Sequence, residues 1–410
     1  MRIVLLVSPL DSFPSTTTDH IYALKKYVRG EITICAIRRS EIPIDLRSFD
    51  ALIIHHSAVV YPYRNINVGF SDESVTALKR FSGIKLAFAQ DEYRSIAERR
   101  AFFNNIEINH LFSLSAQSGY DVIYGPPKDR SYSISTVLPG YITDQMLQWN
   151  SSTFKERPTD IGYRGRILPA WMGSISNLKS GIVELIQGEI QSKKISARTD
   201  LSAKEVDRLY GNSWREFLNS TKSQIATSSG SSILDIDGRF VESHFGKPRI
   251  SIDTEDPIPF DYHMISPRIF DYAASGNLII RIQGHDYGGV LNDENSVTLF
   301  EDASNFEAVL GQINQEDRYM STILSNNSSI VFNEEFHFSK LGNEVNTQLR
   351  KFDKTDKTDK TEIHNISVNI YKLITKRESA IILHKSDSLK KRILVGFLFH
   401  VLKVFKLLRF

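Results

Sequence analysis

Short apolar runs alternate with amphipathic stretches through the first 150 residues of the chain. Residues 3–7, 32–37, 51–55, 85–89 and 111–114 are near-continuous apolar runs, while residues 19–28, 72–81 and 94–104 carry apolar positions at helical spacing. Strands that are apolar on both faces need cover on both faces. The order therefore predicts a parallel sheet with helices on either side, a doubly wound α/β domain. After a polar stretch at 150–158, which reads as a linker, the alternation restarts. Residues 161–163, 194–197 and 224–227 read as strands; 175–187 and 209–219 read as helices, the latter with Trp214, Phe217 and Leu218 on one side. The Ser/Gly-rich residues 228–232 read as a loop. Two α/β domains are expected, 1–150 and 151–345, facing one another across a cleft. Ligands of such sheets lie beyond the carboxyl ends of the strands.

The most informative stretch is residues 263–280, His-Met-Ile-Ser-Pro-Arg-Ile-Phe-Asp-Tyr-Ala-Ala-Ser-Gly-Asn-Leu-Ile-Ile. Pro267 suits a first helical turn, where its missing N–H has no partner to lose. Ser266 is then the natural N-cap, and Gly276 with Asn277 the helix end. Arg268 adds a guanidinium to the positive end of the helix, a combination that favours an anion. In contrast, residues 8–12, Ser-Pro-Leu-Asp-Ser, lack the glycine fingerprint of a dinucleotide site after the first strand.

Composition narrows the class. With 41% hydrophobic and 24% charged residues, the 410-residue chain reads as globular. A net charge of +2 does not point to a nucleic-acid binder. The single cysteine, Cys35, excludes an intramolecular disulfide and a Cys-rich metal site; it lies in an apolar run and reads as a buried thiol. The eleven histidines are scattered along the sequence, and no metal-ligand motif emerges, so metal-independent chemistry is expected. Of the one Asp-x-Asp, Asp235 and Asp237, the second precedes Gly238 and reads as a turn.

The charge is uneven. Residues 385–410 hold seven basic residues and one acid, +6, which leaves −4 for the rest. Residues 353–361 are three tandem Asp-Lys-Thr units with nothing apolar to bury, so 346–387 reads as a linker. Over 388–410, a helical projection puts Lys391, Arg392, Lys403, Lys406 and Arg409 in one sector. Ile393, Leu394, Phe397, Val401, Val404, Phe405 and Leu408 fall opposite. The apolar run is about half the roughly 20 residues a span needs, so an interfacial helix on anionic lipid is expected. The N-terminal run is too short for a signal peptide and reads as a first strand, which gives a cytoplasmic expectation, peripheral at the inner face of the membrane.

Three segments together carry a resemblance. The 263–280 stretch resembles the nucleotide-sugar-binding helix of GT-B glycosyltransferases. Residues 160–169, Asp-Ile-Gly-Tyr-Arg-Gly-Arg-Ile-Leu-Pro, resemble the opening strand of the donor domain in bacterial enzymes related to the spore-maturation type. Gln90-Asp91-Glu92-Tyr93 is similar to the acidic strand end of their first domain. The resemblance spans about residues 1–345 and implies two Rossmann-like domains, a nucleotide-sugar donor and a saccharide or lipid-linked acceptor. With the tail, it implies surface-polysaccharide or glycolipid assembly in a bacterium.

Sugar transfer needs cations and N–H groups where the leaving diphosphate gains charge. The resemblance and the strand–loop–helix context make Arg164, Arg166, Ser266, Arg268 and Asp271 donor-site candidates, with Tyr287 and Gly288 from the following glycine-rich loop. Asp271 is shorter than the family's usual Glu. For a base on the acceptor hydroxyl the candidates are Asp91, His56 and Glu92, in that order, all at strand ends of the first domain. Surface ion pairs for Arg164 and Arg166, a helix cap for Asp91 and buried imidazoles for His55 and His56 are the plain structural alternatives. A non-catalytic nucleotide- or saccharide-binding scaffold, or a sugar-nucleotide epimerase, are the alternative functions.

Overall fold

The computed structural model describes residues 1–9, 15–59, 69–149, 153–236, 238, 258–315 and 318–353. Asp237, the linker residues 150–152, most of the Asp-Lys-Thr repeat and the basic tail lie outside these described residues.

The first sheet holds β1 (Arg2–Val7), β2 (Glu31–Ala36), β3 (Ala51–Ile54), β4 (Ile84–Phe88), β5 (His110–Ser113) and β6 (Ser133–Thr136). Its order is β2-β1-β3-β4-β5-β6, and every pairing is parallel. β3 and β4 are buried at every position, as their continuous apolar sequences require. The second sheet holds β7 (Thr159–Arg164), β8 (Thr199–Ser202) and β9 (Thr221–Ala226). An antiparallel pair, β10 (Ser229–Leu234) and β11 (Ile258–Met264), follows before the chain returns with β12 (Leu278–Ile282) and β13 (Val297–Leu299). That sheet runs β13-β12-β9-β7-β8, again all parallel. Both domains thus follow the doubly wound order, with the strand order reversing beside β1 and beside β7.

Two readings of the second domain change. The helix expected over 175–187 runs Ser174–Lys193 and ends where Lys194 turns left-handed (φ 53°), so the edge strand is Thr199–Ser202, not 194–197. An edge strand half open to solvent gives little apolar signal. Residues 229–232 are not a loop but the start of β10, and Gly230 explains why a serine-glycine sequence serves. Its φ is 118°, and a Cβ there would stand 1.8 Å from the Tyr262 carbonyl oxygen of β11. Only glycine lets the two backbones come so close.

This hairpin grips the first domain. The Asp235 N–H donates to Tyr93 O (2.8 Å), and the N–H groups of Ile96 and Ala97 donate to Asp235 O (3.1 Å) and Ile236 O (2.8 Å). The carbonyls just after β10 therefore satisfy the opening N–H groups of the helix Ile96–Asn105, whose own N-cap residue Ser95 makes no side-chain cap. Trp171, Met172, Leu234, Tyr262 and Met264 of the second domain pack into the same apolar cluster as Tyr93, Ile96 and Phe102.

The chain then crosses back. The helix Phe338–Phe352 packs on the helix Ser15–Tyr27, burying Leu341, Val345 and Leu349 under the first sheet. Asn346 clamps it: its Nδ2 donates to Tyr27 O (3.1 Å) and its Oδ1 accepts from Arg29 N (2.7 Å). The boundary expected at 345/346 falls inside this helix, because the pattern of its buried face continues to Leu349.

Gly230→Ala is expected to lower stability by about 2–3 kcal/mol in urea unfolding, since it brings both a strained φ and a backbone collision. A loss below about 0.5 kcal/mol would mean that the hairpin accommodates a side chain there.

Candidate active site

Arg268 opens the helix Arg268–Ala274 at the edge of the second sheet. No side chain caps this helix; Ser266 contributes its carbonyl instead, accepting from Ile269 N (3.1 Å). The hydroxyl cap expected of Ser266 is thus replaced by Pro267 in helical conformation. Gly276 is left-handed (φ 63°), as a helix end requires. Asn277 turns inward, its Nδ2 donating to Leu218 O (2.9 Å) and Thr221 O (2.6 Å). The Arg268 guanidinium donates to Arg164 O at the end of β7 and lies over the Trp214 ring, 5.3 Å from its centroid.

Trp214, on the helix Gly211–Ser220, donates from Nε1 to Asp271 Oδ2 (3.0 Å). Asp271 is buried, and that burial pushes its carboxyl up to about 7; the Trp214 hydrogen bond and the charge of Arg268 oppose the shift, while Asp19 of the first domain adds to it. The Asp19–Asp271 interaction spans the cleft.

Lys179 completes the cationic side. It projects from the helix Ser174–Lys193, and its Nζ donates to Ser229 Oγ (3.2 Å). Burial lowers its ammonium to about 8; the charges of Arg268 and Arg166 push the same way, and Asp91 of the first domain pushes back. Arg268, Arg166 and Asp91 are therefore each within electrostatic reach of Lys179. Nothing in the sequence marks Lys179, since a lysine in the middle of a helix reads as a solvated face. Beside it, Ser228 Oγ lies 2.8 Å from His285 Nδ1 and 3.3 Å from His263 Nδ1, so two imidazoles converge on the end of β9.

The remaining donor-site candidates divide. Arg166 is exposed beyond the end of β7. Arg164 is engaged locally: it pairs with Asp200 (2.8 Å) and lies 4.3 Å over the Phe217 ring, so its side chain holds β7 to β8 while its carbonyl receives Arg268. Tyr287 is a buried strut, its hydroxyl donating to Ala226 O (2.6 Å) and accepting from Ile282 N (2.9 Å). Gly288 is exposed with open space around it, and its N–H is taken by Asp286 Oδ1 (2.8 Å).

On the first-domain side, Asp91 follows β4 in the left-handed region (φ 50°), a conformation that a non-glycine residue adopts at a cost. It does not cap the next helix, which starts at Ile96. Its Oδ1 accepts from the Tyr93 hydroxyl (3.4 Å). Glu92 points the other way. It is buried, and its two oxygens accept from Ser113 Oγ (2.7 Å) and Leu114 N (2.6 Å), which ties β4 to β5. Burial raises its carboxyl. His55 and His56 follow β3 and are buried together with His20. Burial holds the His55 and His56 rings well below their ordinary pKa, hence neutral.

Asp271 generates a pH prediction. A carboxyl held at about 7 when folded and at 3.8 when unfolded stabilises the fold fully below about pH 4; that contribution, up to about 4 kcal/mol, is lost as pH rises through 7. Asp271→Asn keeps an acceptor for Trp214 and should flatten the fall in urea stability across that window. Equal slopes in variant and parent would show that Asp271 ionises normally.

No protein-family model and no curated protein sequence matches the chain. Solved structures do match in fold. The T4 phage β-glucosyltransferase aligns with a TM-score of 0.50 at 10% identity, covering 85% of this chain and 99% of that one. Anabaena Alr3699/HepE, solved in complex with UDP, aligns with a TM-score of 0.50 at 10% identity, covering 86% and 100%. At that identity the likeness is one of fold, and the fold of residues 1–352 is GT-B: two Rossmann-like domains facing across a cleft.

Proposed function

We propose that the protein is a glycosyltransferase that moves a sugar from a nucleotide-sugar donor to a saccharide or lipid-linked acceptor. One observation carries the reading: Lys179, bonded to Ser229 beyond the carboxyl edge of the second sheet, feels the charges of Arg268, of Arg166 and, from the first domain, of Asp91. Burial holds the neighbouring Asp271 toward its neutral form, which leaves the cations short of anionic charge. A diphosphate supplies it. As the bond from the anomeric carbon to the phosphate oxygen breaks, the leaving nucleoside diphosphate gains negative charge, and fixed cations stabilise that charge without reorganising. In an inverting transfer, Asp91 takes the proton of the acceptor hydroxyl as its oxygen bonds to the anomeric carbon. His56, enclosed with two other imidazoles, and Glu92, spent on Ser113 and Leu114, are less suited to that task.

Uridine nucleotides are the first donors to test, because Anabaena HepE was solved with UDP. Among the described residues no helix is long and apolar enough to cross a membrane. The basic residues 388–410 suit anionic lipid on their sequence alone, and this favours a lipid-linked acceptor and a role in surface-polysaccharide or glycolipid assembly.

Arg268→Ala should lower transfer, or hydrolysis of a labelled donor without acceptor, by about 10²–10³-fold. It should also remove the rise in melting temperature given by nucleoside diphosphates. Full activity in that variant would sink the donor-site assignment, and a product epimerised without acceptor would favour the epimerase. Asp91→Asn should lower kcat by about 10²–10⁴-fold while nucleotide binding persists; an unchanged kcat would remove Asp91 as the base.

A further inference from the structure

We infer that His20, His55 and His56 form a binding site for one divalent transition-metal ion of the zinc class, at the carboxyl ends of the first sheet. This does not rest on the glycosyltransferase reading. His55 and His56 are neighbours and His20 lies 35 residues before them, yet one ring nitrogen from each lies within 4.8 Å of the others. His20 comes from the helix Ser15–Tyr27, and His55 with His56 from the turn after β3. His20 Nδ1 and His55 Nε2 are 3.0 Å apart. Nitrogens bound at about 2.0–2.1 Å to a tetrahedral ion stand roughly 3.3 Å apart. One pair is already near that spacing, and small side-chain rotations bring in the third.

The surroundings enclose the cluster. All three rings are buried; Phe88 and Phe338 stand edge-on to His20, with centroids 5.0 and 6.0 Å away. Burying polar rings costs stability unless their nitrogens are satisfied. His55 has an orienting partner, since its Nδ1 lies 2.9 Å from Ser57 Oγ. Without metal, the Ser57 N–H donates to that Nδ1 (3.1 Å), so His55 carries its proton on Nε2, facing His20. For His55 to ligate, this proton moves to Nδ1 and bonds to Ser57 Oγ, a turn of the ring releases the Ser57 N–H from Nδ1, and Nε2 is freed for the ion. Among the described residues the adverse charge is Arg99, felt by His56; its Nη1 donates to Gln90 O (2.7 Å). Three imidazoles leave a fourth coordination position for water or an oxygen ligand.

The test uses the full chain, stripped with chelator and titrated with Co(II). One equivalent should bind with the visible ligand-field band of a four-coordinate ion. Zn(II) should displace it and raise the melting temperature. Ser57→Ala should weaken Co(II) binding by about 10-fold or more, and His20→Ala should abolish the band. The inference is overturned if the stripped parent takes up no stoichiometric Co(II), or if folded His20→Ala binds as tightly as the parent. The parent's own spectrum decides the matter should that variant fail to fold.

Discussion

Everything at the cleft depends on three backbone hydrogen bonds between residues 93–97 of the first domain and residues 235–236 of the second. Two of them do for two domains what a cap does for one helix, because the donors are the opening N–H groups of Ile96–Asn105 and the acceptors belong to the other domain; in the third the Asp235 N–H donates back to Tyr93 O. The strand end after β4, with Asp91, is thereby fixed against the elements that carry Lys179 and Arg268. A doubly wound sheet supplies loops at its carboxyl edge, and the hairpin inserted between β9 and β12 turns two such edges into one site.

Charge at that site is arranged by burial as much as by proximity. Lys179 is lowered and Asp271 raised, each toward its neutral form, and in both cases burial is the main cause. Arg268 bridges these groups: it stacks on Trp214, whose indole holds Asp271, and it bonds to the carbonyl of Arg164. The guanidinium is thus positioned by an aromatic face and a main-chain oxygen, and among the described residues no carboxylate forms a tight pair with it.

The sequence was legible wherever a single element decided the pattern. β1, β3 and β4 are buried on both faces and read as apolar runs; Gly276 ends its helix by being left-handed. What stayed hidden depended on distant neighbours. β8 lies at a sheet edge and shows no run. β10 looks like a loop because its small residues answer to the close approach of β11. Arg164 and Arg166 are two residues apart and indistinguishable in the sequence, yet Asp200 captures only the first. Lys179 and His20 each sit in an ordinary helix, and only the tertiary fold brings the first to Arg268 and the second to His55 and His56.

The returning helix Phe338–Phe352 has a consequence for synthesis. Leu341, Val345 and Leu349 close the apolar layer beneath the first sheet, against Ile21, Leu24 and Ile3. On the ribosome, that layer stays uncovered while the entire second domain emerges. The first domain is therefore the last to be finished although it is the first to be made, and for that interval its underside is the surface most open to a chaperone.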